Sequence, residues 1–230
     1  MKRNAVILAA GLSSRFIPAR GRHPKGLTRV KGEILIERQI RQLREAGVEE
    51  IIVVTGYQRE QFAYLKEQFG VILVHNPSYA SRNNHSSIYA ARSFLDCTYI
   101  CSCDNYFPDN PFLPHQDSSY YAAVYAEGPT REWCLTTDES GRIIGVSIGG
   151  EHSWYMLGHA YWNRDFSRRF LDILEKEYLD PSTVSALWET IYVRHMEELP
   201  LYIRKYPPGA ILEFDTVEEL KAFDPDYDKG

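Results

Sequence analysis

Residues 7–27 read ILAAGLSSRFIPARGRHPKGL. An apolar run ends in a turn of small residues, Ala9, Ala10 and Gly11, and arginines, a proline and a lysine follow. An ordinary strand-to-helix turn is one reading. The stretch lacks the dinucleotide fingerprint G-x-G-x-x-G, and it lacks the P-loop pattern G-x-x-x-x-G-K-[ST]. What remains is an amide-rich turn followed by the cations Arg15 and Lys25. Backbone N–H groups and fixed positive charge both favour anions, so this is the composition of a polyphosphate cradle.

Outward from the turn, the pattern alternates. Ala5–Ala9 is continuously apolar, as expected of a strand buried on both faces. Residues 10–26 form a polar loop long enough to imply function. Ile36, Ile40 and Leu43 give one apolar face to a helix over Ile34–Ala46, which Gly47 stops. Strands are expected at Glu50–Thr55, Val71–Val74 and Tyr99–Cys103, with helices at Gln58–Phe69 and about Ser86–Phe94 between them. Strand–helix alternation predicts a parallel sheet with right-handed crossovers.

After residue 110 the character changes. Residues 120–126, 132–137, 142–148 and 154–162 read as strands joined by turns. Helices over Phe166–Tyr178 and Thr183–Met196, strands at Leu201–Lys205 and Ile211–Phe214, and a helix over Val217–Phe223 complete the chain. The expected fold class is α/β: a Rossmann-like, mostly parallel sheet flanked by helices, with an antiparallel substrate-binding portion. We expect one domain over 1–230, its nucleotide-binding half in 1–110 and its acceptor-binding half in 111–230. The abrupt polar end also allows the chain to be part of a longer fusion protein.

Bulk properties narrow the partners. The net charge of −5 argues against non-specific nucleic-acid binding, which needs a basic surface. No apolar run approaches the roughly 20 residues that span a bilayer. The basic-then-apolar N-terminus reads better as a first strand than as a signal peptide, so a cytoplasmic location is expected. Cys97, Cys101, Cys103 and Cys134 form no C-x-x-C pair and are expected to be reduced, buried, small hydrophobes. The sequence leaves the oligomeric state open.

Three further features bear chemistry. Asp104 directly follows the apolar strand of YICSCDNYF, in position either to hold Mg²⁺ against phosphates or to cap a turn. In ILEFDTVEEL, Glu213 and Asp215 would point to one face of a strand and Phe214 to the other. Two acids on one face call for a divalent metal or a lysine, and Asp215 could instead cap the helix that follows. Trp133 beside Glu132, and Trp188 beside Glu189, have the chemistry of a cationic head-group site, although tryptophans are more often core residues. There is no G-x-S-x-G elbow to suggest a hydrolase triad.

Taken together, these residues resemble a family. Ala9-Ala10-Gly11-Leu12-Ser13-Ser14-Arg15 followed by Pro24-Lys25 is similar to the opening signature of the sugar-phosphate nucleotidyltransferases, or pyrophosphorylases. The stretches Gly56–Leu65, Asn83–Tyr89, Cys103–Tyr106, Arg131–Leu135 and Glu213–Asp215 extend the likeness to the bacterial CTP:phosphocholine cytidylyltransferases over nearly the whole chain. The resemblance implies an Mg²⁺-dependent transfer of CMP from CTP to phosphocholine, with release of pyrophosphate. Its partners would be CTP and a small cationic phosphorylated acceptor. By the same resemblance, the Ala9–Ala10–Gly11 backbone and Arg15 hold the triphosphate, and Lys25 neutralises the reacting phosphates. Asn83, Asn84 and Ser87 line the nucleoside side. Asp104, Glu213 and Asp215 bind Mg²⁺. Trp133, with Trp188 and Glu189, faces the acceptor.

Two positions depart from the family pattern. Ser102 stands where an acid often precedes Asp104 by two residues, and Leu187 stands where an additional aromatic accompanies Trp188. A thinner aromatic cage leaves room for a primary amine. The same chemistry on 2-aminoethylphosphonate, phosphoethanolamine or a sugar 1-phosphate is therefore the alternative, and a nucleotide-sensing domain is the non-enzymatic one.

Overall fold

The structure is a computed structural model that describes residues 2–12, 23–114 and 116–227. Arg15, with the rest of 13–22, lies outside the described residues. In chain order the elements begin with β1 (Asn4–Ala9), β2 (Arg29–Val30), β3 (Glu33–Ile34), α1 (Leu35–Glu45), β4 (Glu50–Thr55), α2 (Tyr64–Phe69) and β5 (Ile72–His75). They continue with α3 (His85–Ala90), β6 (Thr98–Ser102), β7 (Asn105–Tyr106), β8 (Tyr120–Ala126), β9 (Thr130–Thr137), β10 (Ile143–Gly150) and β11 (Ser153–Trp162). Then come α4 (Arg164–Leu179), α5 (Trp188–Arg194), β12 (Tyr202–Tyr206), β13 (Leu212–Glu213) and α6 (Val217–Phe223).

Among the described residues, nine strands join in one sheet. Its first part runs β5-β4-β1-β6, all parallel. The chain winds outward from β1 to β4 and β5, then returns to place β6 on the other side of β1. That reversal is a topological switch point, and open α/β sheets bind ligands in the crevice it leaves. From β6 the sheet continues antiparallel through β11, which pairs with β8 and β9, and β9 carries β10. β12 adds to β8 in parallel. The fold is therefore the expected α/β class, with the parallel and antiparallel parts fused through the β6–β11 pairing.

Apolar faces of the sheet bury two cores. Ile7, Val53 and Cys101 pack on one side against Ile36, Ile40 and Leu43 of α1 and Leu65 of α2. Val6, Ile52 and Ile100 pack on the other against Ile88 of α3, Phe170 of α4 and Ile191 of α5. Because successive strand residues face opposite ways, the run Ala5-Val6-Ile7 feeds both layers, and all three are fully buried. Gly47 takes φ +79° after α1, and its N–H donates to the Arg44 carbonyl, so the expected helix stop forms.

Three expected helices are shorter. The Gln58–Phe69 stretch splits into a 3₁₀ turn over Arg59–Phe62 and α2, after Gln58 adopts φ +48°. The helix expected over about Ser86–Phe94 ends at Ala90, and Arg92–Phe94 continues as a 3₁₀ turn. In place of one helix over Thr183–Met196, a 3₁₀ turn covers Pro181–Thr183 and α5 begins only at Trp188. A tertiary contact sets that start: the Trp188 N–H donates to Asn84 Oδ1 at 2.7 Å, so a residue about a hundred positions earlier serves the first turn of α5.

Candidate active site

The carboxyl ends of β1 and β6 and the segment after β5 surround a cavity of about 640 Å³. Its size is that of a small-molecule site. Ala9, Ala10, Gly11, Lys25, Asn83, Asn84, Ser87, Asp104, Glu213 and Asp215 all line it.

Lys25 follows Pro24, whose φ of −58° leads into a short 3₁₀ turn over Lys25–Leu27. Asp104 sits in the two-residue turn between β6 and β7. β7 pairs antiparallel with β13, which sets Glu213 opposite Asn105 and hence beside Asp104. This two-residue ladder joins acids more than a hundred positions apart. Lys25 Nζ lies 2.9 Å from Asp104 Oδ2, 3.5 Å from Asp215 Oδ1 and 3.8 Å from Glu213 Oε1.

The electrostatics follow from the crowding. Burial alone would lower the Lys25 pKa, but the three carboxylates outweigh it and hold the ammonium above its usual value. The Asp104 carboxylate, then burial, push Glu213 above the usual carboxylate range, against the opposing pull of Lys25. Asp215 and the more distant Glu132 add to that repulsion. Asp215 does not cap the next helix. Thr216 does, accepting from the Glu219 N–H, while Glu219 Oε2 accepts from the Thr216 and Asp215 N–H groups. The Asp215 side chain is thereby left to the cavity. Phe214 packs in a small third core with Tyr106 and Leu220, on the opposite side, as the alternation predicts.

The donor set fits Mg²⁺. Asp104, Glu213 and Asp215 supply hard carboxylate oxygens, and this ion needs only one or two of them besides phosphate and water. Among the described residues, no group of three His, Cys, Asp or Glu side chains is arranged to hold a metal unaided. The three acids also share the Lys25 ammonium.

Two glycines let the walls close. A Cβ on Gly26 would sit 2.9 Å from Cys103 Cβ, so only glycine lets the Lys25 turn approach the Asp104 turn this closely. A Cβ on Gly56 would sit 2.6 Å from Tyr79 Cβ and 2.7 Å from the Ala10 carbonyl oxygen. That carbonyl also accepts from the Tyr57 N–H at 3.2 Å, which anchors the Ala10 turn to the end of β4.

The far wall is a knot of amides. Asn76 Nδ2 donates to Ser86 Oγ and Ser87 Oγ, and Asn76 Oδ1 accepts from the Ser78 N–H. Asn83 Nδ2 donates to the Ser185 carbonyl and its backbone N–H to the Val184 carbonyl. Asn84 Nδ2 donates to Glu189 Oε2, and Glu189 Oε1 accepts from Tyr121 Oη at 3.1 Å. Burial raises the Glu189 pKa to about 7, against the lowering effect of these donors. The expected nucleoside-side amides are thus at the cavity, with most of their hydrogen-bonding capacity spent on holding its wall.

One of the two tryptophans requires a correction. Trp188 is 2% exposed, stacked on Tyr121 at 5.6 Å and edge-on to Trp162, so it is a core residue and offers no surface to an acceptor. Trp133 is half-buried and packs one side against the same core, and its expected place beside the acceptor stays a proposal. Adjacent strand residues face opposite ways, so the sheet that turns Trp133 toward this core turns Glu132 to the other face. Sequence reading gave no role to Asn76, Tyr79 or Arg82, which also line the cavity. Their only signal is position, just beyond the end of a parallel strand.

With this geometry in view, comparison with known proteins assigns the family. Residues 5–143 match the MobA-like NTP transferase domain. The chain belongs to that family. It is a nucleotidyltransferase of the cytidylyltransferase class. The transferase is 38% identical to a 2-aminoethylphosphonate cytidylyltransferase of Lancefieldella rimae, over 98% of this chain and 94% of that one. It is 33% identical to a choline-phosphate cytidylyltransferase of Streptococcus pneumoniae, over 94% and 95% of the two chains. Among solved structures, a CTP:phosphocholine cytidylyltransferase from Streptococcus pneumoniae superposes with a TM-score of 0.93 at 32% identity, covering 98% of this chain and 99% of that one. An inositol-1-phosphate CTP transferase from T. maritima, at 17% identity and a TM-score of 0.72, shares the fold. No described helix of the transferase is long and apolar enough to cross a membrane.

Proposed function

We propose that the transferase moves CMP from CTP to a small acceptor that carries a phosphoryl or phosphonyl group at one end and a primary ammonium at the other, 2-aminoethylphosphonate being the best fit. The acceptor oxygen attacks the α-phosphorus of CTP in line and pyrophosphate leaves. The attacking group is largely ionised at neutral pH, so no general base is required. The obstacle is repulsion between anions. Lys25, 2.9 Å from Asp104, is a fixed cation of the cavity, and the Ala10–Gly11 turn supplies backbone donors beside it. Arg15 is proposed as a second cation on the triphosphate. Asp104, Glu213 and Asp215 would hold Mg²⁺, which when bound neutralises phosphate charge and orients the reacting oxygens. The walls formed by Asn83, Asn84 and Ser87 keep the nucleoside in register with those groups.

The observation that carries the choice of acceptor is the packing of Trp188. A trimethylammonium group is desolvated poorly by carboxylates and is best held by aromatic faces. With Trp188 in the core, the described cavity lining offers a cation the Glu213 carboxylate, with Glu132 near it, beside the ring of Tyr79. Carboxylates suit an ammonium with N–H donors. Phosphocholine is the second reading, favoured by the 33% identical relative and the 0.93 superposition.

The test is pyrophosphate release from CTP with each acceptor in turn, at equal concentration. 2-Aminoethylphosphonate should give the highest kcat/KM, followed by phosphoethanolamine, then phosphocholine. A phosphocholine kcat/KM above that of both amines reverses the order, and a sugar 1-phosphate in first place removes the cationic acceptor altogether. Nucleotide binding without pyrophosphate release from any acceptor would favour a sensing domain.

A further inference from the structure

Arg82 is a cavity residue with unspent hydrogen-bonding capacity. Its guanidinium carbon lies 4.2 Å above the Tyr178 ring. That ring in turn stacks on Tyr89 at 3.8 Å with an interplanar angle of 5°, and Arg92 lies over the far side of Tyr89 at 4.3 Å. The four side chains form a ladder of cation, ring, ring and cation that holds the Arg82 guanidinium against the Tyr178 ring. The edge is less constrained. Arg82 Nη1 is buried and has no hydrogen-bond partner among the described residues. The backbone beside it is anchored, since the Arg82 N–H donates to the Ser78 carbonyl and the Asn83 N–H to the Val184 carbonyl.

Sheet order tells which part of a ligand would meet this fork. Lys25 and Asp104 sit beyond β6, and Arg82 belongs to the segment beyond β5. In the order β5-β4-β1-β6 these strands are three spacings apart, about 14 Å. A nucleotide whose phosphates lie beside Lys25 and the Ala10 turn therefore extends its base toward residues 76–84.

We propose that Arg82 is the base-reading residue of the nucleotide site and that it selects cytosine. This deepens the reading of the site as one for CTP and rests on it. Cytosine presents two adjacent acceptors, O2 and N3. A guanidinium edge offers parallel N–H donors at the matching spacing. Uracil places an N3–H donor where cytosine has an acceptor, so the same fork meets donor with donor and rejects it. Arg82 thus spends on the nucleobase the Nη1 donor that no described residue uses.

The experiment measures binding with no acceptor present, so the identity of the acceptor does not enter it. Titration calorimetry with CTP, UTP and CMP is run on the wild-type chain and on Arg82→Met and Arg82→Lys. The wild type should prefer CTP to UTP. Arg82→Met should weaken CTP and CMP alike, on the order of 10–100-fold, and bring the CTP:UTP ratio close to one. Arg82→Lys keeps the charge but not the fork, and should lose the preference as well. If Arg82→Met does not give a cooperative melt, Arg82→Lys carries the test. An unchanged CTP:UTP ratio in the variants overturns the proposal. So does a loss confined to the triphosphates with CMP unaffected, because Arg82 would then be reading phosphate. A wild type that prefers UTP instead sinks the CTP reading on which the proposal rests.

Discussion

Lys25 Nζ stands 2.9 Å from Asp104 Oδ2, with the Glu213 and Asp215 carboxylates on its other sides. One cation thus answers three acids from two distant parts of the chain, and all four residues face the same cavity. Replacing Lys25 by Ala removes the fixed charge from the reacting phosphates and leaves three carboxylates unbalanced. Lys25→Ala and Asp104→Ala should each lower kcat by about 10²–10³. Their far-ultraviolet circular dichroism should match the wild type, since both side chains project from turns rather than from a core. Near-normal turnover in either variant would remove that residue from the chemistry.

Gly56 is a packing requirement of the nucleotide side. The nearest obstacles to a Cβ there include a backbone oxygen, that of Ala10, which cannot swing away. Gly56→Ala should destabilise the chain by about 1–3 kcal/mol through forced backbone displacement. For a chain of this size that lowers the melting temperature by about 2–12 °C. Because Ala10 moves with it, KM for the nucleotide should rise while KM for the acceptor changes little. A melting curve and two substrate titrations check this.

Gly26 presents the same requirement against Cys103. The obstacle here is a side chain, but its Cβ is part of it, so Cys103→Ala does not rescue Gly26→Ala. Only Cys103→Gly relieves the contact. Gly26→Ala should lower kcat by pushing Lys25 away from Asp104, and the double variant with Cys103→Gly should recover part of it. Equal kcat in the single and double variants would show that the close approach is unimportant.

Two buried groups should shape the pH dependence of stability in opposite directions. Glu189 is raised by burial to about 7, so between its unfolded value near 4.5 and about 7 the native state holds a proton that the unfolded state has released. Its contribution therefore declines as pH rises through that window. Relative to wild type, Glu189→Gln should gain stability from pH 4.5 to 7, by about 1–3 kcal/mol in total. His159 is enclosed by Tyr99, Phe107, Phe112, Tyr120 and Tyr206 and is lowered by burial to about 3. Below about 6.5 the unfolded state takes up a proton that the native state refuses, so its contribution is lost as pH falls. His159→Phe should gain on wild type as pH drops from 6.5 toward 4, even though it forfeits the bond to Tyr120 Oη. Denaturant titrations across pH 4–8 compare the three proteins, and parallel curves would contradict both assignments.

Asn84 couples the cavity wall to α5. Its carbonyl oxygen accepts from the Trp188 N–H and its amide donates to Glu189. Asn84→Asp keeps the acceptor but sets a carboxylate against Glu189. That variant should lose about 1–3 kcal/mol more at pH 8 than at pH 5, where Glu189 can take up a proton. A loss independent of pH would place the damage elsewhere.

How much of this was legible follows from the range of each interaction. Local rules sufficed for most elements: β4, β8 and α6 match the residues that alternation and capping indicate, and β1 and α1 lie within one residue of them. The same rules erred at Gln58 and at 183–187, next to the places where the Tyr57 N–H bonds the Ala10 carbonyl and the Trp188 N–H bonds the Asn84 side chain. The site residues at strand ends, Ala10, Lys25, Asp104, Glu213 and Asp215, were named from chemistry alone, and the fold brings them to one cavity. Trp188 was misread because sequence places a tryptophan beside a carboxylate but does not say which face of the helix meets the core.

The sequence by itself determined the layers, because burial period is written residue by residue and each strand or helix obeys it independently. It also determined which side chains could do chemistry. Only the tertiary structure decided who meets whom: that Lys25 is shared by three acids, that Gly26 and Gly56 set the width of the cleft, that Trp188 is core, and that Arg82 reaches the cavity with a donor unpaired among the described residues. These are contacts across tens to nearly two hundred residues. They arise from strand order and crossover geometry, which no short stretch of chain encodes.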